Sequence, residues 1–193
     1  MSLPHEHDHQ RERGPVADAS VRLAKVSDAP AVGFVQAALW TEAYAGLLPA
    51  DVAAEFQPQS FAKAWRDSLE APPSPAHRLL VACAGEQVVG FSAVGPSGDP
   101  DAQPGVGEIL VLGIHPEARR VGHGSRLLNA SVDTARGSAF SVLGAWLPTH
   151  AEETRAFLVA AGFAPDGAFR DRVVGPAESD VIREVRLRSA IDA

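Results

Sequence analysis

The sequence predicts a mixed α/β fold, one sheet with helices packed on it, on three observations. Three apolar, strand-like runs follow one another mid-chain with only turns or a loop between them, which a regular alternation of strand and helix would not produce. Segments with apolar residues at helical spacing stand before and after that block. The chain has 193 residues, 46% of them apolar, which suits a single sizeable core.

Residues 1 to about 19, "MSLPHEHDHQRERGPVADA", offer almost nothing to bury and read as a disordered tail, which leaves one domain over about 20–190. "VRLAK" from Val21 alternates as a short strand. Ser27 and Asp28 then cap a helix carrying Val32, Val35, Leu39 and Tyr44 along one side. "GLLPADV" breaks it, and a second helix with Phe56, Phe61, Trp65 and Leu69 follows until "APPSPA" stops it. "HRLLVACA", the turn "GEQ" and "VVGFSAVG" predict a hairpin. After the loop "GPSGDPDAQPG" comes "VGEILVLGI", apolar enough for a central strand. A helix with Leu127, Leu128 and Val132, the strand "FSVLGAWL", a helix "AEETRAFLVAAGF" closed by Gly162, and two final strands complete the order β-α-α-β-β-β-α-β-α-β-β.

The bulk numbers exclude several classes. The net charge of −7 argues against nucleic acid, which wants a basic face, but not against a small anion met by a local cluster. No run approaches the roughly 18 apolar residues of a spanning helix, and no charged-then-apolar start reads as a signal peptide, so no membrane partner is expected. A single cysteine, Cys83, forbids an internal disulfide and suits a reducing, cytoplasmic setting. It lies in an apolar strand and reads as an inert core thiol. "HEHDH", with His5, His7 and His9, has metal-ligand chemistry, but in a floppy tail it reads as a solvated segment, and no metal site is expected.

The stretch "HPEARRVGHGSRLLNASV", starting at His115, carries the chemistry. A helix N-terminus presents unpaired N–H groups and about half a positive charge, and glycine lets a phosphate approach without a Cβ in the way. Gly122 and Gly124 sit at that place, with Arg119, Arg120, His123 and Arg126 adding charge. A pyrophosphate cradle and a plain turn with solvated arginines both remain open on the glycines alone. A Rossmann fingerprint would need a third glycine where Leu127 stands, and a P-loop would need Gly-Lys-Ser/Thr where the chain has Gly124-Ser125-Arg126.

"ILVLGIHPEARRVGHGSRLL" resembles the cofactor motif of the GNAT superfamily of acyl-CoA N-acyltransferases: an apolar strand ending in Val/Ile-x-Pro, then Arg/Gln-x-x-Gly-x-Gly/Ala opening a helix. Ile114, Pro116, Arg119, Gly122 and Gly124 match it. "AEETRAFLVAAGF" and "ALWTEAYAGLLPADV" are similar to two further segments of that family, and the likeness runs roughly from Val21 to Arg188. It implies a mostly antiparallel sheet splayed between its fourth and fifth strands. It implies acetyl-CoA as co-substrate, with the pyrophosphate on the N–H groups of Val121, Gly122, His123, Gly124 and Ser125 and the pantetheine arm along the backbone near Leu112 to Ile114. The acceptor would be an amine of a small molecule or peptide. Many members pair through edge strands, which implies a homodimer, with the C-terminal strand as the edge.

Transfer to an amine needs the neutral amine; for a lysine-like group with pKa about 10.4 that costs about 4.6 kcal/mol at neutral pH. A carboxylate can take that proton, an effect of about 10²–10⁴-fold. Glu108 is the candidate base. Strand alternation predicts that it shares a face with Leu110, Leu112 and Ile114, and it matches a glutamate common in the family. The alternative is a solvated acid at the strand's wet start. His115 is a second candidate base. Trp40, Glu42, Tyr44 and Trp146 are the candidate acceptor residues, aromatics and an acid that suit a cationic amine. Many relatives place a general-acid tyrosine where Leu158 stands, and an asparagine where Ala151 stands, so those roles do not carry over. Two rival readings follow: an acyl-CoA-binding regulator with weak or no catalysis, and a metal-binding N-terminal module on an inert domain.

Overall fold

In the computed structural model, residues 19–174 and 180–191 are described. The expected tail and its "HEHDH" segment lie outside them, Ala19 apart, so the metal-binding rival is not addressed. Seven strands form one sheet: β1 (Ala19–Leu23), β2 (Arg78–Ala84), β3 (Gln87–Pro96), β4 (Val106–Ile114), β5 (Val142–Pro148), β6 (Ala164–Val173) and β7 (Val181–Ala190). Their spatial order is β1-β2-β3-β4-β5-β7-β6. Only β4 and β5 run parallel. The C-terminal strand β7 is therefore internal, and the free edges belong to β1 and β6, contrary to the expected edge at the C-terminus.

Helices α1 (Ala29–Ala43), α2 (Ala50–Ala54), α3 (Pro58–Glu70), α4 (His123–Gly137) and α5 (Glu152–Ala160) cover the sheet. On one face, Val32 and Val35 of α1 and Trp65 and Leu69 of α3 pack on Leu79, Val81, Phe91 and Ala93. Cys83 belongs to this apolar layer, as expected. On the other, Leu128 of α4 and Leu158 of α5 pack on Val94, Ile109, Leu143, Leu147 and Leu187. Fully burying a side chain such as Phe91 or Leu187 contributes about 1.5–3 kcal/mol each. The buried hydroxyls of Ser131 and Ser92 satisfy each other between α4 and β3 (2.9 Å), as a dry interface requires.

Three details depart from the sequence reading. Asp28 does not cap α1 with its side chain; its carboxylate instead takes both guanidinium nitrogens of Arg22 (2.7 and 2.9 Å) and the Lys25 N–H (2.7 Å). "GLLPADV" holds a short helix of its own, α2, started by Pro49. Most consequential is a β-bulge in β4: Ala93 pairs with Val111 but Val94 with Ile109, so Leu110 is skipped and points outward, half exposed. A bulge flips the alternation of every residue beyond it. Glu108 therefore lies opposite the face of Leu112 and Ile114, which pack toward Leu127 of α4. The expectation that one face holds all four residues fails for this reason.

The two helices of the first layer approach closely at Gly33, where a Cβ would stand 2.5 Å from both the Ala62 nitrogen and the Pro58 oxygen. Neither backbone atom can yield easily. Gly33→Ala is expected to cost about 1–3 kcal/mol, read as a lower urea midpoint at unchanged slope.

Candidate active site

β4 and β5 pair only from Val106↔Val142 to Ile109↔Ala145. Beyond that point they make no pairs with each other, so the side of β4 toward β5 loses its strand partner from Leu110 onward. The chain then turns through Pro116–Ala118 into α4. Two residues there have left-handed backbones, Arg120 (φ 66°) and Gly122 (φ 88°). Gly122 is the residue before the helix, and only glycine takes that conformation without cost. The Arg126 N–H is the first to reach a helical carbonyl, that of Gly122 (3.2 Å). The amides of His123, Gly124 and Ser125 precede it and have no intrahelical acceptor. Gly124 is not forced by crowding: a Cβ there would meet Phe157 and Ile114 at ordinary distances of 3.7 and 3.8 Å.

The charged side chains of this loop are engaged elsewhere. Arg119 donates to Glu42 from both terminal nitrogens (3.0 Å for Nη1 to Oε1) and from Nε to the Ile114 carbonyl (3.2 Å). That ion pair ties the loop to the last turn of α1. Arg120 pairs with Glu153 at the surface (3.5 Å), and Arg126 reaches the Val121 carbonyl (3.4 Å). The His123 side chain is buried. The loop's offering to a ligand is thus chiefly backbone N–H. His115 stacks on Phe34, ring centroids 5.5 Å apart and nearly parallel, and its Nδ1 accepts from the Glu117 N–H (3.4 Å).

Glu108 sits where the strands begin to part, flanked by Gly95 on β3 and Gly144 on β5. It is buried, 8% exposed, with Ser97 Oγ donating to its Oε2 (3.4 Å). Burial first, and the nearby charge of Asp99 second, push its carboxyl above the usual range; Arg170, the Gly98 N–H and Ser97 oppose that shift. Asp99 is itself fixed: it accepts from Trp146 Nε1 (3.0 and 3.2 Å) and from Arg186 Nη1 (2.8 Å), and its own N–H donates to Ser97 Oγ (3.3 Å). Arg186, nearly buried, also holds Asp101 and Asp166 (2.8 Å each). The Arg186 hydrogen bond pulls the Asp101 carboxyl down to about 2.

Of the four expected acceptor residues, Trp40 and Tyr44 come together, packing edge-on with Phe56 nearby. Together with Leu48, Arg172, Val173 and Val174 these three aromatics line a cleft of about 100 Å³. Burial pushes the Tyr44 phenol up, against the pull of Arg172. The other two expected acceptor residues do not join them. Glu42 is taken by Arg119. Trp146 is taken by Asp99 at its N–H and by Arg170 and Arg186, 4.3 and 5.3 Å from its ring centroid.

The sequence model of the acetyltransferase (GNAT) family matches residues 35–163. The chain belongs to the GNAT acetyltransferase family. Solved GNAT folds resemble it over nearly their whole length. YncA of Salmonella typhimurium, solved with its cofactor acetyl-CoA, has a TM-score of 0.65 at 17% identity, covering 91% of this chain and 95% of that one. PaiA N-acetyltransferase of Thermoplasma acidophilum, in complex with coenzyme A, scores 0.67 at 14% identity, over 89% and 98%. An N-acetyltransferase of Staphylococcus aureus Mu50 scores 0.67 at 17%, over 91% and 100%. At such identities the likeness is one of fold. No curated protein matches the sequence. In this GNAT chain Leu158, where the resemblance leads one to expect a tyrosine, is buried in the core. The arginine and aspartate network around Trp146 escaped the sequence reading, because its members come from three strands and a loop.

Removing the Asp99 charge while keeping its shape is expected to let the Glu108 proton leave at lower pH, since a like charge nearby favours the neutral acid. Asp99→Asn should therefore lower the Glu108 titration midpoint in a carboxyl NMR titration, with burial still holding it above the ordinary range.

Proposed function

We propose that this GNAT protein is an N-acetyltransferase that moves the acetyl group of acetyl-CoA directly to a primary amine in a ternary complex. The observation that carries this reading is the meeting of two unpaired backbone surfaces: the open amides at the start of α4 and the edge of β4 that β5 has left. Both suit a long ligand with a diphosphate at one end and amide groups along its arm. The amides of Val121, Gly122, His123, Gly124 and Ser125 would hold the diphosphate, and the edge at Leu112 and Ile114 the arm. When bound, acetyl-CoA supplies a reactive acetyl thioester.

Glu108 is the residue we assign to proton removal from the incoming amine. Its burial and raised pKa are what a base working near neutral pH needs. With Leu158 in the core, the chain provides no phenol at that position; a leaving thiol of pKa about 8.5 departs as thiolate without one. The buried Leu158 equally favours a second reading, an acyl-CoA-binding regulator that does not turn over. We further propose a cytoplasmic protein that pairs through β6, an edge strand with exposed Phe169 and Val173.

Titration calorimetry with acetyl-CoA is expected to give saturable heat. Gly122→Ala should let the free loop relax out of its left-handed conformation, and restoring that conformation on binding should weaken affinity by about five- to thirty-fold, the equivalent of about 1–2 kcal/mol. CoA release measured with a panel of amines should fall about 10²–10⁴-fold in kcat for Glu108→Gln. The acid limb of kcat/KM, activity rising as Glu108 ionises, should lie above the ordinary carboxylate range and vanish in that variant. Saturable binding with no turnover on any amine would favour the regulator.

A further inference from the structure

We propose that the acceptor is an apolar α-amino acid whose carboxylate is read by Arg172 and whose side chain fills the cleft of Trp40, Tyr44, Leu48 and Phe56, an inference that rests on the acetyltransferase reading. The four residues expected to favour a cationic acceptor do not form one site. Glu42 is neutralised by Arg119, and the ring of Trp146 already carries guanidinium groups. What lines the cleft besides apolar groups is a cation, Arg172, with its side chain half exposed. Its nearest carboxylate among the described residues is Glu184, at 3.6 Å, longer than a hydrogen bond. Glu184 is itself committed to Arg170 (2.6 Å).

Charge and volume narrow the acceptor from there. Arg170 and Arg172 are two residues apart in a regular stretch of β6, so both project from the same face of the strand. With Arg170 committed to Glu184, a polyamine or a lysine-rich peptide would meet the positive charge of Arg172 there. A peptide N-terminus lacks the carboxylate next to its amine that a guanidinium would grip. The cleft's roughly 100 Å³ suits a small apolar side chain such as a branched aliphatic one. A guanidinium–carboxylate contact half shielded by aromatics is also the kind that discriminates strongly against an uncharged analogue.

The test uses the full chain with acetyl-CoA and three probes: L-leucine, L-leucinamide and 3-methylbutan-1-amine, which share the side chain and differ at the carboxyl. L-leucine is expected to give a kcat/KM about ten-fold or more above the other two. Arg172→Gln should abolish the preference for L-leucine over the other two, and Arg172→Lys should restore part of it. Equal or better use of the amide or the simple amine overturns the proposal, as does an equal loss on all three probes in Arg172→Gln. If no probe is turned over, binding of the three in the presence of CoA decides by the same preference: an advantage for L-leucine that Arg172→Gln removes supports the inference, and no advantage overturns it. Absence of acetyl-CoA binding alongside an intact leucine preference would sink the acetyltransferase reading alone.

Discussion

The skipped residue in β4 is the constraint on which the rest of the site depends. Because Leu110 has no partner on β3, the strand reverses its inside-out pattern between Glu108 and Leu112. Glu108 can then lie on the face away from α4, beside Ser97 and Asp99, while Leu112 and Ile114 anchor the same strand to α4. A regular strand would have to choose: an acid buried among the leucines of the α4 layer, or apolar groups lost to the other face. The bulge also raises the local twist, as bulges do, and the ladder with β5 ends one residue before it, at Ile109. One extra residue thus accounts for the acid's position, for its burial and for the opening beside it.

Around that opening the protein divides its polar resources. Backbone groups serve the helix start, where the flanking arginines are held by Glu42, Glu153 and the Val121 carbonyl. Side chains serve the other face, where Asp99, Trp146 and Arg186 form a buried web behind Glu108. Web and acid touch through Ser97, which accepts from the Asp99 N–H and donates to the Glu108 carboxylate. The electrostatic setting of Glu108 is therefore built by the loop that follows β3 rather than by its own strand.

Much of this was legible in the residues. The order of strands and helices, the helix-opening glycines and the presence of an acid on the central strand follow from periodicity, from what glycine permits and from the run "VGEILVLGI". Gly122 does stand just before the helix, where it was expected, with a left-handed backbone. The bulge was not legible, since alternation counts residues and Leu110 looks like any other apolar position. Nor was the split among Trp40, Glu42, Tyr44 and Trp146. Glu42 and Arg119 are far apart in sequence, and Trp146 meets Asp99 and Arg186 only once the sheet is assembled. Local pattern sets the elements; which polar groups neutralise one another is decided by tertiary approach.

The two banks of the aromatic cleft are unlike in stiffness. On one, Arg172, Val173 and Val174 lie at the end of β6, held to β7 by regular pairing from Phe169 to Val173. On the other, α2 has no buried residue, and the turn before it, with Gly46 in a left-handed conformation, stands largely in water. Segments with few buried contacts open at the lowest free energy. Breathing of the cleft therefore falls to the α1–α2 arm, one hinged jaw closing on a fixed anvil, and the Arg119–Glu42 pair lies at the root of that hinge.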